Sequence, residues 1–195
     1  MKEKAKNIKK EKRNRKKIKN KVNKKGTKHS FNIFKVNGQF KFIPLIINIL
    51  IPVVGGLVVG YLNKNTMGTY EMLKKPIFTP PSYVFPIIWT ILYVLMGIAA
   101  YRIYMRNKQG ANDNGAYFFY LVQLIFNFMW SFIFFTFRLY GIAFIWLIIL
   151  FILVIITFIK FIKVDKISGI LLIPYMIWLI FAGVLNFFIW MFNEM

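Results

Sequence analysis

The chain has 195 residues, 58% of them hydrophobic, 19% aromatic and 17% charged, where an ordinary soluble domain carries about a quarter charged residues. Its 27 Lys and Arg outnumber six acids for a formal net charge of +21, cysteine is absent, and His29 is the single histidine. This excludes a disulfide framework, a thiolate nucleophile, a Ser-His-Asp triad and Cys- or His-ligated metal sites, and no Walker or dinucleotide glycine pattern is present.

Residues 1–41 hold 17 of the Lys and Arg, two acids (Glu3 and Glu11) and isolated Ile8, Ile18 and Val22. So much like charge with so little to bury predicts a disordered polybasic tail. A Lys-rich arm can neutralise nucleic-acid phosphates. Placed directly before an apolar span, it fits anionic lipid head groups better, at roughly 1 kcal/mol per basic residue near the surface. Nucleic acid is therefore the disfavoured partner. The apolar run that follows is too long for a signal peptide and lacks a small-residue cleavage site.

Five apolar segments come next, at about 42–62, 82–105, 116–137, 139–162 and 167–192. Each has the roughly 20 residues a helix needs to cross about 30 Å of hydrocarbon. The fold class predicted is an all-α membrane protein, with residues 42–195 forming a five-helix transmembrane bundle. The first segment carries Asn48, the kinking residue Pro52 and a Gly56/Gly60 pair whose G-x-x-x-G spacing permits close helix approach. Pro76, Pro80, Pro81 and Pro86 stiffen the entry to the second, where Trp89, Tyr93, Met96 and Ala100 share one face. In the third, Gln123, Asn127 and Ser131 recur every four residues, with Trp130 beside them. A tight hairpin at residues 138–141 joins it to the fourth, with Arg138 and Tyr140 expected at the membrane interface. The last sets Tyr175, Trp178, Ala182, Asn186, Trp190 and Asn193 on one stripe at helical spacing.

Charge by side gives an orientation. With the N-terminus cytoplasmic, the inner face holds 23 Lys and Arg and the outer face four (Lys64, Lys74, Lys75 and Arg138). Basic residues favour the cytoplasm, so the C-terminus is expected outside. No acid, His or Arg falls at mid-span, which argues against an ion-coupled pump. Amides such as Gln123, Asn127 and Asn186 can serve as interhelical glue, and Trp190 suits an interfacial anchor. Taken together, the stripes of three helices predict an uncharged hollow able to hold a large, flat, mostly apolar ligand against indole faces.

Four ordered blocks resemble the TspO/MBR family, the tryptophan-rich sensory proteins related to the translocator protein. They are Tyr70-x-x-Leu73-x-Lys75-Pro76 with Pro80-Pro81; Phe85-x-x-x-Trp89-Thr90-x-Leu92-Tyr93-x-x-Met96-Gly97; Gln123-x-x-x-Asn127-x-x-Trp130-Ser131 with Phe134-Phe135; and Pro174-Tyr175-x-x-Trp178-x-x-Phe181-Ala182-x-x-Leu185-Asn186. The resemblance covers residues 42–193 and departs from the family at Thr69, where Trp is frequent, and at Phe187 and Met191, where a sterol-type motif needs Tyr and a basic residue. Trp146 stands where the family often has an acid, and the third helix lacks the small residues of some relatives' dimer contacts, leaving Gly56/Gly60 as an alternative homodimer contact.

The resemblance implies a bundle that binds porphyrins in a pocket below the first loop. By carry-over Tyr70, Trp89, Tyr93, Asn127, Trp178, Ala182 and Asn186 line it, and Trp130 joins them from its place beside Asn127. The leading expectation is a receptor or sensor in a bacterial cell membrane with protoporphyrin IX or haem as ligand, no obligatory cofactor and no metal. Light-dependent porphyrin degradation, with Trp89 and Trp178 as the catalytic pair, is an alternative. Passive transport of porphyrin- or sterol-like molecules is another.

Overall fold

A computed structural model describes residues 32–111 and 114–195, apart from the side chains of Met67, Thr69 and Asn114. Residues 1–31, which make up most of the expected basic tail, lie outside the described residues. The helices are α1 (Phe42–Leu62), α2 (Met67–Met72), α3 (Val84–Arg106), α4 (Asn114–Ser131), α5 (Tyr140–Val164) and α6 (Lys166–Asn193). After α3 the chain turns through Asn107–Ala111, breaking at Gly110 (φ 97°), and a π-helical turn extends α4 over Phe132–Thr136. Among the described residues, five helices are long and apolar enough to span a bilayer, all but the short α2.

The heaviest packing is between α5 and α6, then α1 against α3, α4 against α5 and α3 against α6. The lateral order around the bundle is thus α1, α3, α6, α5, α4. Pro52 in α1 supplies no N–H, which frees the Asn48 carbonyl. Gly97 of α3 sits against that point: a Cβ there would lie 2.7 Å from Asn48 O and 2.5 Å from Ile49 Cα. Only a missing side chain lets the two backbones cross so closely.

The helical unit starts at Ile33, upstream of the expected boundary at 42. Val36 is buried and pairs with Gln39 through two backbone hydrogen bonds. Arg102 donates to the carbonyls of Ile33 (2.7 Å) and Lys35 (3.1 Å), and Tyr101 Oη to that of Phe34 (3.2 Å). The same Arg102 makes a two-pronged pair with Asp165, Nε to Oδ2 at 2.6 Å and Nη2 to Oδ1 at 2.9 Å. Asp165 also accepts from Ser168 N at 2.9 Å, capping α6. Burial pushes the Asp165 carboxyl up, but the Arg102 guanidinium and the Ser168 bonds outweigh it and hold it below its ordinary value.

The opposite end is closed by the last residues of the chain. Asn193 clamps Lys74 reciprocally, accepting from its N–H (3.0 Å) and donating to its carbonyl (2.9 Å). Glu194 accepts from the N–H groups of Tyr140 (2.8 Å) and Gly141 (2.9 Å), satisfying the start of α5. With Arg138 in the left-handed region (φ 56°), the chain reverses within three residues and turns Tyr140 inward against Phe134, at 6% exposure. Tyr140 is thus a core residue of the bundle.

The Gly56/Gly60 pair does not form one outward surface. A Cβ on Gly56 would fall 2.2 Å from the Tyr93 ring, whereas Gly60 has nothing within 4 Å. Gly56 therefore makes room for a side chain of its own bundle.

Candidate functional site: an aromatic and amide column

Trp89 of α3 is the hub. Its ring stacks on Tyr93 one turn along (centroids 5.4 Å apart, 29°), meets Trp178 of α6 edge-on (6.5 Å, 89°) and contacts Tyr175 (6.1 Å). Trp178 in turn touches Phe181 (5.2 Å) and Phe85 (5.8 Å), and Phe85 leads to Tyr70 of α2 at 5.9 Å. Offset and perpendicular contacts of this kind are the favoured aromatic geometries. A continuous ladder of rings therefore runs from the residue 63–83 loop down to the middle of the bundle.

At the foot of the ladder the contacts become polar. Tyr93 Oη donates to Asn127 Oδ1 (2.8 Å), Asn127 Nδ2 donates to Tyr175 Oη (3.0 Å), and Tyr175 Oη donates to Gln123 Oε1 (3.1 Å). All four are buried. The period-four stripe of α4 thus meets α3 and α6 at one level, as the spacing of Gln123 and Asn127 required.

Trp130 and Asn186 occupy a separate buried cluster. Trp130 Nε1 donates to Asn186 Oδ1 (3.2 Å), and Asn186 Nδ2 donates to the Tyr140 carbonyl (2.8 Å). Trp130 stacks on Phe134 at 5.1 Å. Asn186 therefore spends its amide on holding α4, α5 and α6 together. Ala182 is buried on α6 between Trp178 and Asn186, where it presents only a methyl group.

Tyr70 stands between the two groups. Besides Phe85 it contacts Phe134 (6.2 Å) and Phe135 (5.9 Å), and burial pushes its phenol up to about 12. The Lys75 ammonium lies 4.5 Å from the centre of its ring and donates to the carbonyls of Tyr70 (3.1 Å) and Glu71 (3.3 Å). Lys74, by contrast, is held by its backbone and leaves its side chain exposed.

A crevice of about 160 Å³ lies on this side, lined by Thr66, Tyr70, Leu73, Phe134, Phe135 and Tyr140. Trp89 and Trp178 do not line it. Around Trp89 and Trp178 the rings are in mutual contact. Trp178 Nε1 and Tyr70 Oη are buried with no hydrogen-bond partner among the described residues. Phe85 and Tyr175, which complete the ladder, lie on the motif stripes, but which rings they would touch was not readable from spacing. Among the described residues no group of three or more His, Cys, Asp and Glu could hold a metal ion.

Residues 48–191 match the TspO/MBR family. The chain is 36% identical to "Protein CrtK" of Rhodobacter capsulatus over 124 residues, covering 64% of this chain and 78% of that protein. It is 34% identical to "Tryptophan-rich protein TspO" of Archaeoglobus fulgidus, with 77% and 97% covered. Against the "Translocator protein" of Bos taurus it is 30% identical, with 78% and 92% covered. The matched stretch contains every ring and amide of the column and all five apolar helices end within or close to it, so the chain is an integral membrane protein that belongs to the TspO/MBR family.

Proposed function

We propose that this protein is a membrane receptor for porphyrins or similarly flat hydrophobic molecules, with the Trp89–Trp178 pair as the gripping surface. The supporting observation is the uncharged ladder of rings, from Tyr70 through Phe85 and Trp178 to Trp89, that ends on the Asn127 amide chain. Trp178 Nε1 and Tyr70 Oη supply two unspent donors for a ligand's polar edge. Because these rings touch, a tetrapyrrole must enter by parting them, and the residue 63–83 loop must yield. We infer in addition that the N-terminus is cytoplasmic in a bacterial cell membrane, where the basic tail lies on anionic lipid.

No His or Cys occurs in residues 42–195, which leaves only weak axial donors for iron. Haem and metal-free protoporphyrin should therefore bind with similar affinity. Titration of both into purified protein, followed by Trp fluorescence quenching, tests this. Trp178→Ala should weaken both ligands at least about tenfold, the equivalent of about 1.4 kcal/mol. A tight haem-only complex with a ligated-iron spectrum, or unaltered binding by Trp178→Ala, refutes the reading.

The edge-on contact of Trp89 and Trp178 at 6.5 Å also supports a photo-oxidative reading, since indole can give an electron to an excited porphyrin. Illuminated protein should then bleach protoporphyrin, and Trp89→Phe or Trp178→Phe should slow it. Bleaching by both variants at the wild-type rate removes this alternative.

A further inference from the structure

Below the Trp pair, two polar groups remain unspent. Gln123 Nε2 and Tyr120 Oη are buried with no hydrogen-bond partner among the described residues, and each residue is 1% exposed. They lie three residues apart on α4, so they are neighbours on one helix face. The Tyr120 ring packs on Phe161 of α5 at 5.8 Å.

The direction of the amide chain fixes what these groups offer. Each link passes a proton donor forward: Tyr93 to Asn127, Asn127 to Tyr175, Tyr175 to Gln123. Gln123 Oε1 is consumed by the last link, so its free end is an N–H donor. Tyr120 Oη, a hydroxyl able to donate or accept, stands one turn away on the same face. The two groups do not bond each other, and a water oxygen can accept from the amide and complete the hydroxyl. A buried hydroxyl or amide left without a partner is costly, and native proteins normally resolve such groups with ordered water.

We propose that Tyr120 and Gln123 bind a water molecule beneath the aromatic ladder, at a site formed by their two unpartnered groups on one face of α4. The water extends the chain Tyr93–Asn127–Tyr175–Gln123 to Tyr120 and gives the ladder a hydrated polar floor. Polar groups continue beyond it: the Tyr117 ring lies 5.8 Å from that of Tyr120, and Tyr117 Oη donates to Asn48 Oδ1 (2.8 Å). Tyr117 itself is half buried. The inference does not depend on the identity of any ligand.

Two measurements on the full-length protein test it. Tyr120→Phe removes only the hydroxyl, so the sign of its effect reports whether that hydroxyl has a partner. Loss of a bonded hydroxyl should lower the Tm by about 2–6 °C, whereas removal of an orphaned one should raise it or leave it unchanged. In bilayers, ¹⁵N-glutamine labelling covers three positions, with Gln39 exposed at the surface as a positive control. Water-edited solid-state NMR should show transfer from water to the Gln123 side-chain amide, identified by its loss in Gln123→Met. An unchanged or raised Tm overturns the proposal. So does a lowered Tm with no water transfer to Gln123, because the hydroxyl is then bonded within the protein.

Discussion

Neutralising Asp165 removes the counter-charge of a buried guanidinium. The Arg102 side chain is 4% exposed and that of Asp165 13%, and the pair is two-pronged. In Asp165→Asn the Ser168 cap can survive, since an amide oxygen still accepts from Ser168 N, but Arg102 loses its two-pronged carboxylate while keeping the carbonyls of Ile33 and Lys35. Breaking one partner of a buried pair costs about 3–5 kcal/mol, and the partial exposure of Asp165 favours the lower end. A loss of about 3 kcal/mol corresponds to a fall of about 6–12 °C in Tm for a chain of this size. Thermal unfolding of the purified protein across pH gives the assay.

The pH dependence has a definite sign. The Asp165 carboxyl is held below its ordinary value of 3.8, so its contribution is complete above that value and is lost as pH falls through the lowered one. The gap in Tm between wild type and Asp165→Asn should therefore stay constant from pH 8 to about pH 5 and shrink only below about pH 4. A gap under 2 °C, or one already closing between pH 7 and pH 5.5, would falsify the assignment.

Other perturbations probe separate parts of the bundle. Gly97→Val should lower Tm sharply, because its Cβ meets the Ile49 and Asn48 backbone and overpacking costs about 1–3 kcal/mol or more, while Gly60→Val, with open space around it, should change Tm by less than about 1 °C. Asn193→Ala removes both bonds to the Lys74 backbone; limited proteolysis should then cut the residue 63–83 loop faster, with the helices unaffected. Asn186→Leu strands Trp130 Nε1 and the Tyr140 carbonyl at about 1–3 kcal/mol, which should lower Tm but leave porphyrin affinity within about twofold.

The five spans and the facing stripes of α3, α4 and α6 follow from sequence alone, because length, apolarity and the 3.6-residue turn fix where a helix runs and which residues share its face. The conjunction of Trp89, Tyr93, Asn127 and Trp178 was legible in that way. Which neighbour each face meets was not. Asn127 and Asn186 look alike on the page, yet one joins the phenols under Trp89 and the other binds Trp130 and the Tyr140 carbonyl. Gly56 looks like a surface for a second chain and is spent on Tyr93. Lys74 meets Asn193 across 119 residues, and Arg102 meets Asp165 across 63. Helical periodicity carries no information about pairings at such separations. They are decided by the order in which the helices close around one another, and that order exists only in three dimensions.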